Sequence, residues 1–269
     1  QQNMSETRFF EQKDGSKIAY KILEPANIKN EIPLILIVGF DATKEHFCGF
    51  EEVIVFDNRG IGESTVASYD DPITIELMAQ DTIELIKHLG IKRFNLFGRS
   101  MGGNIALCAA LNVPSDLKLE KLIICSGFAR VKEDRDLEQL CKLPIMDRPK
   151  TIQEQKDALL KDREKNLSDY LLEHPDKLDK IAKIKLNTNA NQRQWEAIKQ
   201  SDLVSRLKEI KVPTLIIHGE IDELVPIDAA ELLDREIPNT QFHRIPNVGH
   251  SVYTMEPGCV STINEFLNN

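Results

Sequence analysis

The chain has 269 residues, of which 41% are hydrophobic and 29% charged, with a net charge of -9. This is a globular composition with enough length for a sizeable core in one or two domains, and it excludes a disordered chain. The acidic balance argues against a general nucleic-acid-binding surface, since such surfaces are usually basic.

In chain order, Gln1–Thr7 is polar and carries no apolar signal core; Gln1–Asn3 stand ahead of Met4 and are left out of the fold reading. Two strand-like segments follow, Arg8–Gln12 and Lys17–Leu23, with Asp14-Gly15 between them as a hairpin turn. Continuous apolar runs then recur at Pro33–Val38, Val53–Phe56, Phe94–Phe97, Leu122–Cys125 and Thr214–Ile217. Runs without alternation suit parallel strands buried on both faces. The longest, Pro33–Val38, is far shorter than the roughly 20 residues of a membrane-spanning helix, so no span is expected. Between the runs lie helical patterns. In Thr74–Leu89 the residues Ile75, Met78, Ala79, Thr82, Ile83, Ile86 and Leu89 mark one face, and Gly90 ends the helix. Strands alternating with helices predict a wound α/β sheet.

The stretch from about Arg130 to Arg206 breaks the rhythm. It has no strand-like run, is dense in Lys, Asp, Glu and Leu, and carries the capping-box pattern Thr151/Glu154. It is read as a helical insertion, 130–206, between core segments 1–129 and 207–269. One reading is a solvated decoration. The other is a cap that covers the site and selects substrate by size and apolarity, with Leu137, Leu140, Leu143, Ile145, Leu159, Tyr170, Leu171 and Trp195 as its apolar face. The five cysteines are scattered without CxxC spacing, which favours a reduced, cytoplasmic compartment; Cys108 and Cys125 read as small core residues.

The strongest local signal is Phe94-Asn95-Leu96-Phe97-Gly98-Arg99-Ser100-Met101-Gly102-Gly103, a strand followed by G-x-S-x-G and the helical Asn104–Leu111. A nucleophile on so tight a strand-to-helix turn has a strained backbone, and side chains two positions either side would collide. Ser100 would stand at a helix N-terminus, where N–H groups favour developing negative charge. A serine hydroxyl needs a base. Of six histidines, His250 stands in the turn Asn247-Val248-Gly249-His250 after the strand-like Gln241–Ile245. That places it at the carboxyl edge of the sheet, where open α/β folds put their sites. His218 is read as supporting a turn, and His88, His174 and His243 as structural or exposed; His46 carries no clear signal. Asp222, after Leu215–Ile217, is the choice for the acid that orients the imidazole, with Glu220 and Glu223 as alternatives. The order Ser100, Asp222, His250 is the one expected of a nucleophile-elbow scaffold.

With these residues in place the chain resembles an α/β-hydrolase, similar over nearly its whole length to esterases, lipases and lactonases with a helical cap. Phe56-Asp57-Asn58-Arg59-Gly60-Ile61-Gly62-Glu63-Ser64 matches the family's D-x-R-G-x-G-x-S turn beside the site. The resemblance implies a mostly parallel eight-stranded sheet. It also implies hydrolysis of a small or medium carboxylic ester, thioester or lactone, with no metal or organic cofactor. Ser100 in the elbow disfavours the family's Asp-nucleophile members. The first central strand usually ends in His-Gly; here it ends in Val38-Gly39, so the oxyanion-hole N–H groups are assigned to Phe40 and Met101. Asp41–Glu51 is short for a parallel crossover of about a dozen residues or more: either the crossover is cut down or residues are missing from it. C–C bond hydrolysis or cofactor-free perhydrolysis by the same triad is the second reading, and a slow or non-catalytic ligand-binding protein the third. No motif encodes the substrate or the oligomeric state.

Overall fold

The computed structural model describes residues 6–23, 32–46, 53–68, 70–131, 151–161, 169, 171–186, 191–252 and 258–269. Eight strands form one sheet: β1 Arg8–Glu11, β2 Lys17–Leu23, β3 Leu34–Ile37, β4 Val53–Phe56, β5 Arg93–Arg99, β6 Lys118–Cys125, β7 Thr214–Gly219 and β8 Thr240–Ile245. Their spatial order is β1-β2-β4-β3-β5-β6-β7-β8. β1 and β2 pair antiparallel, as do β2 and β4, and every later pairing is parallel. All residues of β3, β4 and β7 are buried, because helices cover both faces of a parallel sheet. The expected wound α/β architecture is the one observed.

The local reasons are those of the sequence. α1, Ile75–His88, starts where the Thr74 hydroxyl accepts the Leu77 N–H at 3.0 Å. It buries Ile75, Met78, Ile83, Leu85 and Ile86 against the sheet, and Gly90 follows its end at φ 69. α2, Met101–Leu111, is buried along most of its length and begins at Met101, three residues before the helical pattern becomes legible. The elbow turn itself is the start of the helix. Two apolar clusters flank the sheet. Phe56, Met78, Phe94 and Ile105 belong to the larger, and Leu36, Phe97, Ile217 and Ile263 to the other. Cys108 and Cys125 lie in these clusters; burial pushes the Cys108 thiol up to about 11, which keeps it protonated and inert.

The crossover from β3 to β4 contains the 3-10 turn Lys44–His46, and the remainder of the short Asp41–Glu51 segment, from residue 47, lies outside the described residues. What holds its described part is a buried charge cluster. The Lys44 ammonium pairs with Asp57 Oδ2 at 2.7 Å and Glu63 Oε2 at 2.5 Å. Burial works against the Lys44 charge, but the carboxylates overcome it and raise its pKa. Asp57 also accepts the N–H groups of Lys44 and Glu63, and Asn58 Nδ2 donates to the Val38 carbonyl at 3.2 Å. The Asp57–Ser64 turn thus props up the end of β3.

Between β6 and β7 the chain leaves the sheet and returns. Its ends meet in an antiparallel bridge between Arg130 and Asp202, and the Leu203 N–H donates to the Ala129 carbonyl at 3.0 Å. Three described helices lie between: α3 Ile152–Leu160, α4 Pro175–Leu186 and α5 Asn191–Gln200. α3 carries the capping box expected at Thr151 and Glu154. Leu159, Leu171, Leu178 and Ala182 form a small apolar cluster of their own, whereas Trp195, Ala197 and Ile198 of α5 join the larger cluster of the sheet. Leu137, Leu140, Leu143, Ile145 and Tyr170 lie outside the described residues or side chains, as do Cys48 and Cys141. α6 Ile227–Glu236 and α7 Gly258–Asn268 complete the flanks. No helix among the described residues is long and apolar enough to cross a membrane.

Candidate active site

Ser100 sits between β5 and α2 with φ 54 and ψ -123, a conformation that residues with a Cβ rarely adopt. The surroundings over-determine it. A Cβ on Gly98 would stand 2.7 Å from the Gly103 Cα, and one on Gly102 would stand 2.7 Å from the Val38 carbonyl oxygen. The two glycines are therefore a requirement of close backbone approach, as the motif reading holds. The Ser100 N–H donates to the Cys125 carbonyl at 2.9 Å, which ties the elbow to the neighbouring strand.

His250 is brought in by the loop after β8, where Asn247 takes a left-handed φ of 58. The loop is laced to the one after β7: the Glu220 N–H donates to the Ile245 carbonyl at 3.0 Å and the Ile221 N–H to the Val248 carbonyl at 3.1 Å. His250 Nε2 lies 3.0 Å from Ser100 Oγ, and His250 Nδ1 lies 2.8 Å from Asp222 Oδ2. Residues 150 and 28 positions apart in sequence are thus joined in one hydrogen-bonded row. Asp222 is buried, while Glu220 and Glu223 are exposed, so of the three acids weighed it is Asp222 that reaches the imidazole.

The acid is held on all sides. Asp222 Oδ1 accepts the N–H groups of Leu224 at 2.9 Å and Val225 at 2.8 Å. Oδ2 also lies 3.3 Å from Nε2 of His218, which donates to the Val225 carbonyl at 2.7 Å. Burial by itself raises the Asp222 pKa, but the hydrogen bonds from His218 and His250 and the backbone hold the carboxyl well below the ordinary range. The same contact raises His218: burial opposes its charge, and Asp222 and the Val225 carbonyl outweigh that.

Sequence reading gave His218 only a role in a turn. The structure places it, fully buried, against the acid, a contact whose only sequence signal was its position four residues before Asp222. Ser126 was missed altogether. At φ 51 it takes the backbone of the next strand's end out of line, and its hydroxyl donates to the His250 carbonyl at 3.0 Å. Of the other histidines, His88 stacks on Phe10 with ring centroids 4.5 Å apart, and His243 is exposed on β8.

The two residues assigned to the oxyanion site follow Ser100 and Gly39 in the chain. Met101 is the first residue of α2, where an N–H has no intrahelical partner. Gly39 is close enough that a Cβ on it would stand 3.3 Å from the Ser100 Cβ, and Phe40 follows it in a turn closed by the Ala42 N–H on the Gly39 carbonyl at 3.3 Å. Among the described residues no group of three or more His, Cys, Asp or Glu side chains is placed to hold a metal ion. Chemically, the arrangement offers a hydroxyl, a base within reach of its proton and an ionised acid behind the base.

A sequence profile described as the alpha/beta hydrolase fold matches residues 47–257. The chain is 30% identical over 227 residues to the AB hydrolase superfamily protein YisY of Bacillus subtilis, covering 79% of this chain and 80% of that one. It is 27% identical over 249 residues to monoacylglycerol lipase ABHD6 of Rattus norvegicus, covering 83% of this chain and 71% of the relative. Among solved structures, the enol-lactonase from Burkholderia xenovorans superposes with a TM-score of 0.76 at 22% identity, covering 97% of this chain and all of that one. The chain belongs to the α/β-hydrolase fold family, and it is an enzyme, a hydrolase of the carboxylesterase-like type.

Proposed function

We propose that the protein cleaves a small or medium carboxylic ester, thioester or lactone through an acyl-enzyme on Ser100. The observation that carries this is the row Ser100 Oγ, His250 Nε2, His250 Nδ1, Asp222 Oδ2, with separations of 3.0 and 2.8 Å at its two hydrogen bonds. His250 takes the hydroxyl proton as Ser100 Oγ bonds to the carbonyl carbon. The carbonyl oxygen becomes an oxyanion held by the N–H groups of Met101 and Phe40. Collapse breaks the bond to the alkoxy oxygen, which leaves with the proton from His250. A water then gives its proton to His250 and its oxygen to the acyl carbon, and Ser100 regains its proton as the acid departs. Asp222 stays ionised throughout; it keeps the Nδ1 proton in place and offsets the imidazolium charge.

The insertion 130–206 acts as a cap on the site. Arg130, five residues after the end of β6, pairs with Asp202, so the insertion rises from the sheet edge that carries Ser126. A reducing, cytoplasmic setting goes with this reading, since Cys108, Cys125 and Cys259 are buried thiols outside any disulfide.

The test is covalent labelling by a fluorophosphonate, followed by turnover of a panel of short activated esters, a lactone, a monoacylglycerol and a carbon–carbon diketone. We expect label on Ser100 and turnover of the ester group. Ser100→Ala should abolish the label and lower kcat by about 10⁶-fold, leaving the residual effect of binding and oxyanion stabilisation. Label that persists in Ser100→Ala overturns the nucleophile, and turnover confined to the diketone overturns ester hydrolysis.

A further inference from the structure

Phe40 and Asp41 are the central residues of the turn from Gly39 to Ala42. A turn closed in this way leaves the N–H groups of its two central residues unused. That of Asp41 donates to Oε1 of Gln194 at 2.9 Å, across 153 positions of sequence. No described residue accepts from the N–H of Phe40. Asp41 has φ 51, a left-handed conformation that the turn requires and a residue with a Cβ resists.

Gln194 belongs to the first turn of α5 and is fully buried. Its Oε1 is the only atom of the side chain able to accept, and its Nε2 has no hydrogen-bond partner among the described residues. The carboxamide is therefore anchored by its acceptor end alone. The next residue, Trp195, lies edge-on to the Phe40 ring, with centroids 6.1 Å apart and planes at 77°. One turn of α5 thus holds both central residues, one by its N–H and the other by its ring.

We propose that Gln194 is a positioning residue of the oxyanion site: by anchoring the Asp41 N–H it holds the Gly39–Ala42 turn, and with it the preceding Gly39–Phe40 peptide plane, whose N–H then faces the charge that develops beside Ser100. This rests on the reading of the protein as a serine hydrolase. Where the resembled family has a His before the Gly, this chain has Val38, and Val38 has no side-chain donor or acceptor. Support for the turn comes instead from a helix that precedes β7. The seating of α5 on the core is then part of the catalytic geometry, since an error of about 1 Å in such a donor costs about 10²-fold in rate.

The experiment compares wild type, Gln194→Met and Gln194→Asn. The first keeps length and loses the acceptor; the second keeps the amide and withdraws it. Both should lower kcat for a short activated ester by about 10- to 100-fold with KM little changed. The second readout is a trifluoromethyl ketone, labelled with ¹³C at its carbonyl, as a hemiketal on Ser100. The hemiketal hydroxyl should ionise at higher pH in both variants, because its oxyanion is held less well. Only folded, reacted molecules give this signal, so a variant that is partly unfolded still reports. Unchanged kcat and unchanged hemiketal ionisation in both variants overturn the clamp and leave the hydrolase reading standing. Failure of the wild-type protein to form the hemiketal overturns the hydrolase reading and the clamp with it.

Discussion

The carboxyl edge of the sheet and the helical pair α3–α4 are built on opposite principles. At the edge, Ser100, Ser126 and Asn247 all hold left-handed φ values between 51 and 58, and none is glycine. Each such residue costs of order 1 kcal/mol or more and persists only where its surroundings leave no alternative. Two apolar clusters on the two faces of the sheet supply that rigidity. Among the described residues the α3–α4 pair has a small cluster of Leu159, Leu171, Leu178 and Ala182, with Leu160 packed against it, and Leu172 is 60% exposed. Its described ion pair, Lys156–Asp179, is partly exposed, and such a pair contributes at most about 1 kcal/mol. A large core can store strain for chemistry; a small one can change shape and sequence without disturbing the chemistry.

The sharpest way to test the rigid region is Asp222→Asn. The amide keeps the shape but supports the wrong imidazole tautomer, so kcat should fall by about 10⁴-fold with the fold intact by circular dichroism. A loss of that size in Glu220→Gln or Glu223→Gln, with Asp222→Asn active, would move the acid elsewhere. The second test exchanges the α3–α4 region for a short linker. If the region selects substrate, the ratio of long-chain to short-chain ester kcat/KM should shift by about 10-fold or more, the scale set by a few methylenes in an apolar pocket. A folded protein with an unchanged ratio removes selectivity from this region.

Leu159→Ala separates the two regions directly. It should cost about 2–5 kcal/mol where the small cluster is concerned. Hydrogen exchange should accelerate in α3 and α4, while the rate of fluorophosphonate labelling at Ser100 stays as in wild type. Faster exchange spreading into β5 and α2 would show that the regions are one cooperative unit. The smallest effect is electrostatic. Asp222 has a folded pKa below its ordinary 3.8, so its stabilisation is fully present above that value and lost as pH falls through the folded one. The stability gap between wild type and Asp222→Asn, measured by urea denaturation, should be flat above about pH 5 and narrow below the ordinary aspartate value. A gap that widens on acidification contradicts the hydrogen-bonded carboxylate.

Legibility followed the range of the interactions. The strands β3, β4 and β7 show as continuous apolar runs because burial on both faces is written into adjacent residues. The elbow shows because its glycines answer to contacts within a few residues and to one crossing strand. His218 did not show: histidine at the end of a strand has many uses, and only the loop geometry puts its Nε2 3.3 Å from Asp222. The sequence marks Trp195 as one of the insertion's apolar residues, some of which must pack on the core, without saying which. Its place in the larger cluster, against Phe40, depends on how α5 docks, which no local pattern encodes.

The amino-acid sequence by itself determined the strand runs, the helix end at Gly90 and the cap at Thr151, the Gly98-Arg99-Ser100-Met101-Gly102 turn and the order of nucleophile, acid and base, with Ser100 first and His250 last. These depend on periodicity, on backbone sterics and on motif spacing, all of which act over a few residues. Only the tertiary structure decided which of three acids faces the imidazole, that Ser126 and His218 brace the row from behind, and that Gln194 reaches back to the turn after β3. Apart from that of His218 with Asp222, four positions away, those contacts join residues 28 to 153 positions apart. Each exists only because the sheet stacks its strand ends at one edge, where short polar groups from distant segments come within hydrogen-bonding distance.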